Sequence, residues 1–375
     1  MLKLSPLRAF VFVSLLALAS FVKAETTQIE REVDIVIALD VSRSMEGLID
    51  STKQRLWDIV NDLGRAQPVP VLRVAIVSFG DPRYGADSGF VRVDQQFTRD
   101  LDAVNEALFA FRTNGGEEYV ARAVDTAVRS LQWSTADDAL RILFVAGNES
   151  ALQDLQIGIE RAARMAIDKG VVVNTIYCGS DQDEIAGEWR RVAELTNGIY
   201  ASIDQHAAAV SNVATPMDDE LARLNEALNE TYIPFGSQGP EFQANQAAQD
   251  RNAAGMSRAA LASRAFTKTT SLYSNSSWDL VDALAAGTRI EDVAVDDLPE
   301  VMRPMDMDAR RDHVSEHAGR REALSQEIAA LDAERRDYIA ELRRSEPAAA
   351  GGLDDALREA LRLQARDKGL ELGHD

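Results

Sequence analysis

The chain has almost no cysteine: Cys178 stands alone among 375 residues. No intramolecular disulfide can form, so stability has to come from a hydrophobic core rather than from covalent staples. Histidine is scarce too, with four residues, His206, His313, His317 and His374, scattered along the chain. Only His313 and His317 share a helical face, and no H-E-x-x-H pattern accompanies them, so the signature of a zinc site is missing. Positive charge is in deficit: 40 Lys and Arg face 61 Asp and Glu, for a net charge of -21. That balance excludes binding to nucleic acid or anionic lipid by general electrostatics. After the first two dozen residues no apolar run reaches the ~20 residues that a membrane span needs. A Gly-x-Ser-x-Gly elbow, a P-loop and a Gly-rich dinucleotide turn are absent as well.

What is present begins at the N-terminus. Lys3 and Arg8 form a positive region, Ala9 to Val22 is apolar, and Val22-Lys23-Ala24 supplies aliphatic or small residues at a cleavage position. Residues 1–24 are therefore expected to be a secretory signal peptide. The mature chain would be periplasmic or secreted, with no stable membrane insertion after cleavage. Losing Lys3, Arg8 and Lys23 would take the charge from -21 to -24.

From Val33 to about His206 short Val- and Ile-rich runs alternate with amphipathic segments. Strands are expected at Val33–Leu39, Leu72–Phe79, Phe90–Gln96, Ile142–Ala146, Val171–Tyr177 and Gly198–Ile203. Helices are expected at Ile49–Leu63, Leu101–Phe111, Tyr119–Leu131, Leu152–Lys169 and Ile185–Thr196. This order predicts an α/β fold with a mostly parallel central sheet and helices on both faces. The Gly-, Pro- and Asp-containing stretch from Asp81 to Gly89 predicts one antiparallel edge strand. Cys178 falls at a strand end and reads as a buried, inert thiol. Trp189 and Trp278 read as core anchors.

After His206 strand signals vanish. Residues 207–305 are expected to be helices and loops: an amphipathic Met217–Tyr232, a helix over Glu241–Phe266, a short helix opened by Ser277 to Val281, and a linker from Glu291 to Pro304. The run Thr231 to Gly236 reads as a packing strap or as a groove for a partner. Residues 306–375 form a long helical, coiled-coil-like end. Over Arg310 to Arg344, Leu324, Ile328, Leu331, Tyr338 and Leu342 follow an a/d seam that Arg335 interrupts. The seam closes either on the same chain or, by self-association through 310–344, on a second one. A last helix is expected from Leu353 to Leu370.

The most informative run is Val33 to Ser44, V-D-I-V-I-A-L-D-V-S-R-S. An apolar strand ends in Asp40-x-Ser42-x-Ser44, so a carboxylate and two hydroxyls arrive together on one loop. Hard oxygens in that arrangement suit a small divalent cation. They also suit an N-cap, with Ser42 or Ser44 accepting backbone N–H groups. The motif resembles the metal-ion-dependent adhesion site of the von Willebrand factor A family, and the resemblance covers about residues 30–206. It implies that the serines touch the ion directly and Asp40 reaches it through water. A second loop, Thr113-Asn114-Gly115-Gly116-Glu117, has the family's Gly pair but carries Glu117 where Thr is common. Glu117 then either ligates or simply favours a helix N-terminus. The third loop reads Ala146-Gly147-Asn148-Glu149, with Gly147 where the family usually has Asp; Asn148 or Glu149 could take over through a shifted turn. The site is thus a degenerate one.

The resemblance implies a non-enzymatic module for adhesion or assembly. Its partner would be another protein, offering an acidic side chain to a divalent cation, Mg²⁺ or else Mn²⁺ or Ca²⁺. Two other readings remain open at this stage. One is a metal-independent scaffold acting through its helical half. The other is a Mg²⁺-dependent phosphoester hydrolase, since Asp40 is similar to a strand-terminal phosphatase nucleophile; Ser42, however, stands where such enzymes carry a second acid.

Overall fold

The computed structural model describes residues 31–46, 49, 59–66, 68–203, 213–345 and 353–372. The expected signal peptide lies outside them, as does most of the first expected helix, of which residues 59–64 are described as α1. Six strands make one sheet: β1 (Glu32–Asp40), β2 (Val71–Phe79), β3 (Val91–Thr98), β4 (Leu140–Gly147), β5 (Val171–Tyr177) and β6 (Tyr200–Ser202). Their order is β3-β2-β1-β4-β5-β6. Every pairing is parallel except β2–β3, so β3 is the expected antiparallel edge. In the centre Asp40 pairs with Phe79 and Leu39 with Ala146, which brings the ends of β1, β2 and β4 to one rim.

Side chains alternate along each strand, and in the central strands β1, β2, β4 and β5 both sets are buried. Ile35, Ile37 and Leu39 of β1, with Val74, Ile76, Ile142 and Phe144, point into one core. Val36 and Ala38, with Ala75, Val77, Leu143 and Val145, point into the other. The second face is covered by α3 (Val120–Ser130), α4 (Ile159–Asp168) and α5 (Ala186–Leu195). The first is covered by α1, by α2 (Leu101–Ala110), and then by the C-terminal half of the chain.

That half adds α6 (Asp218–Asn229), α7 (Gly239–Met256), α8 (Arg258–Thr267), α9 (Leu280–Ala285), α10 (Met307–Ser345) and α11 (Leu353–Arg366). Leu221, Leu224, Leu228, Ala262 and Leu361 join the same core as the β1 side chains. Ile328 on α10 is fully buried there, with Leu324 and Leu331 packed beside it. The a/d seam therefore closes on its own chain from Leu324 to Leu331, while Tyr338 further along is exposed. Arg335, which interrupts it, is buried in an ion pair with Asp218 of α6 at 2.8 Å.

A buried polar network ties α2 to the added helices. Arg264 donates to Asp102 at 2.6 Å and to Asp250 at 2.5 Å. Tyr273 donates to the other Asp102 oxygen at 2.5 Å. Lys268 reaches Asp250 at 3.1 Å and Asn225 at 2.9 Å. The Lys268 and Arg264 charges, with amide donors from Asn229 and Asn225, hold Asp250 well below the usual carboxylate range despite its burial. Removing one member would strand a buried charge. Asn229 also donates to Asp250 at 2.7 Å and so faces inward.

Three expectations shift, and one open alternative is decided. The helix expected from Leu152 starts at Ile159, because residues 148–158 form a loop held by Asp154, which accepts Gln156 and Ile157 amides and pairs with Arg122. The single helix over Glu241–Phe266 is two: Ser257 ends α7 and caps α8, accepting the Ala260 N–H at 2.9 Å. The linker over Glu291–Pro304 carries buried Leu298 and Met302, which pack with Ile290 and Val314. Thr231 to Ile233 is a buried strap, with Tyr232 stacked on Trp278 at 5.6 Å.

The added helices are thus part of the domain core rather than an appendage. Burying each Leu or Ile contributes about 1.5–3 kcal/mol, and a domain's net stability is only about 5–15 kcal/mol. A chain ending at residue 206 is therefore expected to be aggregated or molten in gel filtration and near-UV circular dichroism. A monomeric fragment with a sharp cooperative melt would contradict this packing.

Candidate metal centre at the sheet rim

Asp40 is the last residue of β1, 1% exposed. Its Oδ1 accepts the Ser42 N–H at 2.7 Å, an Asx-type turn that swings the loop back over the strand end. The loop places Ser42 Oγ 2.8 Å from Ser44 Oγ, and Ser44 donates to Asn148 Oδ1 at 2.9 Å. Asn148 returns a bond from Nδ2 to the Ser44 carbonyl at 3.2 Å. Neither serine caps the short 3-10 turn that follows, Arg43–Met45. The two hydroxyls and the carboxylate are consequently left facing the rim.

Three glycines let the loops close around Asp40. Gly80, after β2, has φ +89°, and a Cβ there would lie 2.7 Å from Asp40 Oδ1, 3.3 Å from Ser42 Cβ and 3.3 Å from Glu118 Cγ. Those three side chains therefore converge on one point. A Cβ on Gly116 would lie 2.3 Å from the Gly80 carbonyl oxygen, so Gly116 is a steric requirement of two loops meeting, whereas a Cβ on Gly115 would meet nothing within 4 Å. Gly147 ends β4 beneath Asp40; a Cβ there would be 3.1 Å from Oδ2 and 3.0 Å from the Trp189 ring. The indole of Trp189 donates to the Glu149 carbonyl at 2.8 Å and fixes the turn.

The expected residues separate at this point. Asp40, Ser42 and Ser44 come together, and Asn148 joins them by direct contact. Glu117 is exposed and stands outside the group, while Glu118 faces Asp40 and Ser42. The Tyr119 cap and the start of α3 at Val120 leave residues 117–118 non-helical, so neighbouring side chains point opposite ways. Glu118 is tied down by Gln153: its N–H donates to Oε1 and its carboxylate accepts from Nε2, both at 3.3 Å. Glu149 lies near enough to repel both Asp40 and Glu118. Asp40 Oδ2 is buried with no hydrogen-bond partner.

Burial pushes Asp40 up to about 7; the Ser42 bonds oppose this, and the charges of Glu118 and Glu149 add to it. Burial also raises Glu118, against its bond from Gln153 and together with Glu149. An orphaned carboxylate oxygen, two neighbouring hydroxyls and converging negative charge match the oxygen preference of Mg²⁺, Mn²⁺ or Ca²⁺. Among the described residues, no group of three or more His, Cys, Asp and Glu side chains is placed to hold a metal by itself. Hydroxyls and the Asn148 amide have to complete any such set.

Residues 34–185 match the family model described as von Willebrand factor type A domain, and this part of the chain is a domain of that class. No curated protein matches the chain. Among solved structures, it resembles von Willebrand factor type A from Catenulispora acidiphila at 20% identity, covering 48% of this chain and 40% of that one, with TM-score 0.38. It also resembles proximal thread matrix protein 1 from the mussel byssus at 13% identity, 48% and 43% coverage, and TM-score 0.38. A third is the pilus adhesin SpaC from Lactobacillus rhamnosus GG, at 15% identity, 48% and 29% coverage, and TM-score 0.38. The chain thus spans less than half the length of each. Domains of this class are in general protein-interaction modules and often bind a divalent metal at this rim.

The raised Asp40 pKa sets a sign for stability. A carboxyl whose folded pKa exceeds its unfolded value binds protons preferentially in the fold, so its penalty grows between pH 4 and 7 and is complete above 7. Asp40→Asn removes that charge and is expected to stabilise the ion-free protein at pH 8 by about 1–3 kcal/mol. The gain should vanish toward pH 4, as measured by urea denaturation in EDTA. An Asn variant less stable than the wild type at pH 8 would contradict the uncompensated charge.

Proposed function

We propose that the protein is an exported, non-enzymatic interaction module that docks another protein on the rim of its sheet through a divalent cation. Asp40, Ser42 and Ser44 would hold the ion, helped by Glu118 and Asn148, with Glu149 contributing negative charge. Bound there, the cation would offer an open coordination position to an acidic side chain of the partner. The observation that carries this reading is the buried, unpartnered Oδ2 of Asp40 among two further carboxylates. A cation relieves that arrangement, and little else at the rim does. Mg²⁺ fits the all-oxygen donor set, with Mn²⁺ and Ca²⁺ as competitors. Export to the periplasm or the cell exterior follows from the charged, apolar and small-residue pattern of residues 1–24, and a chain with one cysteine needs no oxidative folding there.

Calorimetric titration tests the ion site. The wild type is expected to bind Mg²⁺ saturably at one site with a thermal shift to match. Asp40→Ala should abolish both signals, Glu118→Gln should weaken binding about 10-fold, and Glu117→Gln should leave it unchanged. Equal titrations of wild type and Asp40→Ala would remove the ion from the account. A larger loss from Glu117→Gln than from Glu118→Gln would overturn the ligand assignment.

A further inference from the structure

Beside the rim, on the β3 side, lies a cleft of about 610 Å³. The β2–β3 connection contributes Arg83 and Tyr84, the start of β3 contributes Val91 and Arg92, and the end of α2 contributes Phe111 and Arg112. Three guanidinium groups on one cleft are unexpected in a chain of net charge -21. Two of them are pre-oriented. Arg83 donates to the fully buried Asp81 at 2.8 and 3.0 Å, and Asp81 also accepts from Asn114 on the Gly-pair loop at 3.1 Å. Arg92 donates to Asp94, whose side chain is 7% exposed, at 2.7 Å, and lies 4.3 Å over the Tyr84 ring. Tyr84 is itself fixed by a 2.8 Å bond to Ser78. The two carboxylates thus sit behind their arginines, and the heads of Arg83 and Arg92 remain exposed. Arg112 differs: it donates to the Phe109 and Phe111 carbonyls at 2.9 and 2.8 Å, and among the described residues no carboxylate pairs with it.

We propose that this cleft binds an acidic polypeptide segment, a stretch of Asp and Glu with apolar side chains between them. Arginine presents its donors in a rigid fork that matches a carboxylate, and held forks lose less entropy on binding. The half-buried Tyr84 ring, over a floor of the nearly buried Val91 and Phe111, gives the same cleft apolar surface, which a free inorganic anion would not use. The volume is that of a small-ligand pocket, enough for a few residues of extended chain. The inference rests on the reading of the rim as a protein-docking face, since Asp81 links the cleft to the loop that closes over Asp40. It adds a second, ion-independent contact for one acidic partner segment.

The test uses the purified full chain and a fluorescein-labelled peptide of alternating Glu and Leu, followed by anisotropy in EDTA and again in Mg²⁺. Saturable binding is expected in EDTA, weakening from 50 to 200 mM NaCl, because surface ion pairs are screened over that range. Arg112→Ala should weaken it about 5-fold and Arg112→Glu more than 10-fold, with thermal melts unchanged. The same peptide with Gln for Glu should not bind, and inorganic phosphate at equal charge should not displace the Glu peptide. Equal binding by wild type and Arg112→Glu would overturn the cleft while leaving the ion site standing. Displacement by phosphate would overturn the assignment to a polypeptide. Absence of any Mg²⁺ response, with Arg112-dependent binding in EDTA intact, would sink the ion site and support the cleft.

Discussion

A parallel sheet whose strands are apolar on both sides has to be covered twice, and that requirement organises this molecule. The face bearing Val36 and Ala38 is covered by α3 and α4 from within the matched residues 34–185 and by α5 directly after them. The face bearing Ile35 and Ile37 is covered by α1 and α2 together with Leu221, Leu224, Leu228, Ala262 and Ile328 from the C-terminal half. The cover is then locked by charge. Arg264 joins Asp102 of α2 to Asp250 of α7 in the interior, and Arg358 of α11 pairs with Asp62 of α1 at 2.9 Å. With both faces closed, the ends of the strands are where backbone and side-chain polar groups of the central strands can meet the outside. In open α/β sheets that is where ligands bind.

At the rim the chain concentrates its electrostatic cost. Asp40 is buried beside Glu118 and Glu149, yet one of its oxygens finds no donor. Gly80, Gly116 and Gly147 lack the side chains that would keep the loops away, so the carboxylates are forced together rather than spread apart. Natural proteins retain such destabilising clusters at functional sites and offset them elsewhere in the core. A side chain on Gly147 would meet both Asp40 and Trp189, so the packing of Trp189 against the strand end requires glycine there. Asn148, one residue further on, makes the contact with the serine loop.

Much of this was legible in the sequence, for reasons that can be named. The unbroken run from Val33 to Leu39 identified a strand buried on both faces, and Asp81 to Gly89 identified the antiparallel edge. Asp40, Ser42 and Ser44 were visible because a strand end followed by alternating oxygens has few other uses. The Gly pair at 115–116 was visible as a motif, but the steric reason for Gly116 lies in its contact with Gly80, which nothing local marks. Glu117 and Glu118 were confused because the choice depends on where α3 begins, and a cap such as Tyr119 leaves no sequence signature. Leu152 and Leu155 imitate helical spacing, although they sit exposed on a loop anchored by Asp154. Ser257 was overlooked as a cap inside an Ala-rich stretch that reads as continuous helix. The pairing of Asp102 with Arg264 joins residues far apart in sequence, and no periodicity reports it. Arg335 looked like a flaw in a coiled-coil seam; with Asp218 opposite, it is a buried ion pair that sets the register of α10 on α6.

The central claim is that Asp40 is a buried carboxylate whose missing partner is a cation. Direct titration of its carboxyl carbon by NMR, in EDTA and in Mg²⁺, tests this most directly. The account predicts a midpoint near 7 in EDTA and a fall of at least two pH units when Mg²⁺ is added. An ordinary carboxylate midpoint near 4 in EDTA, unmoved by Mg²⁺, would contradict it.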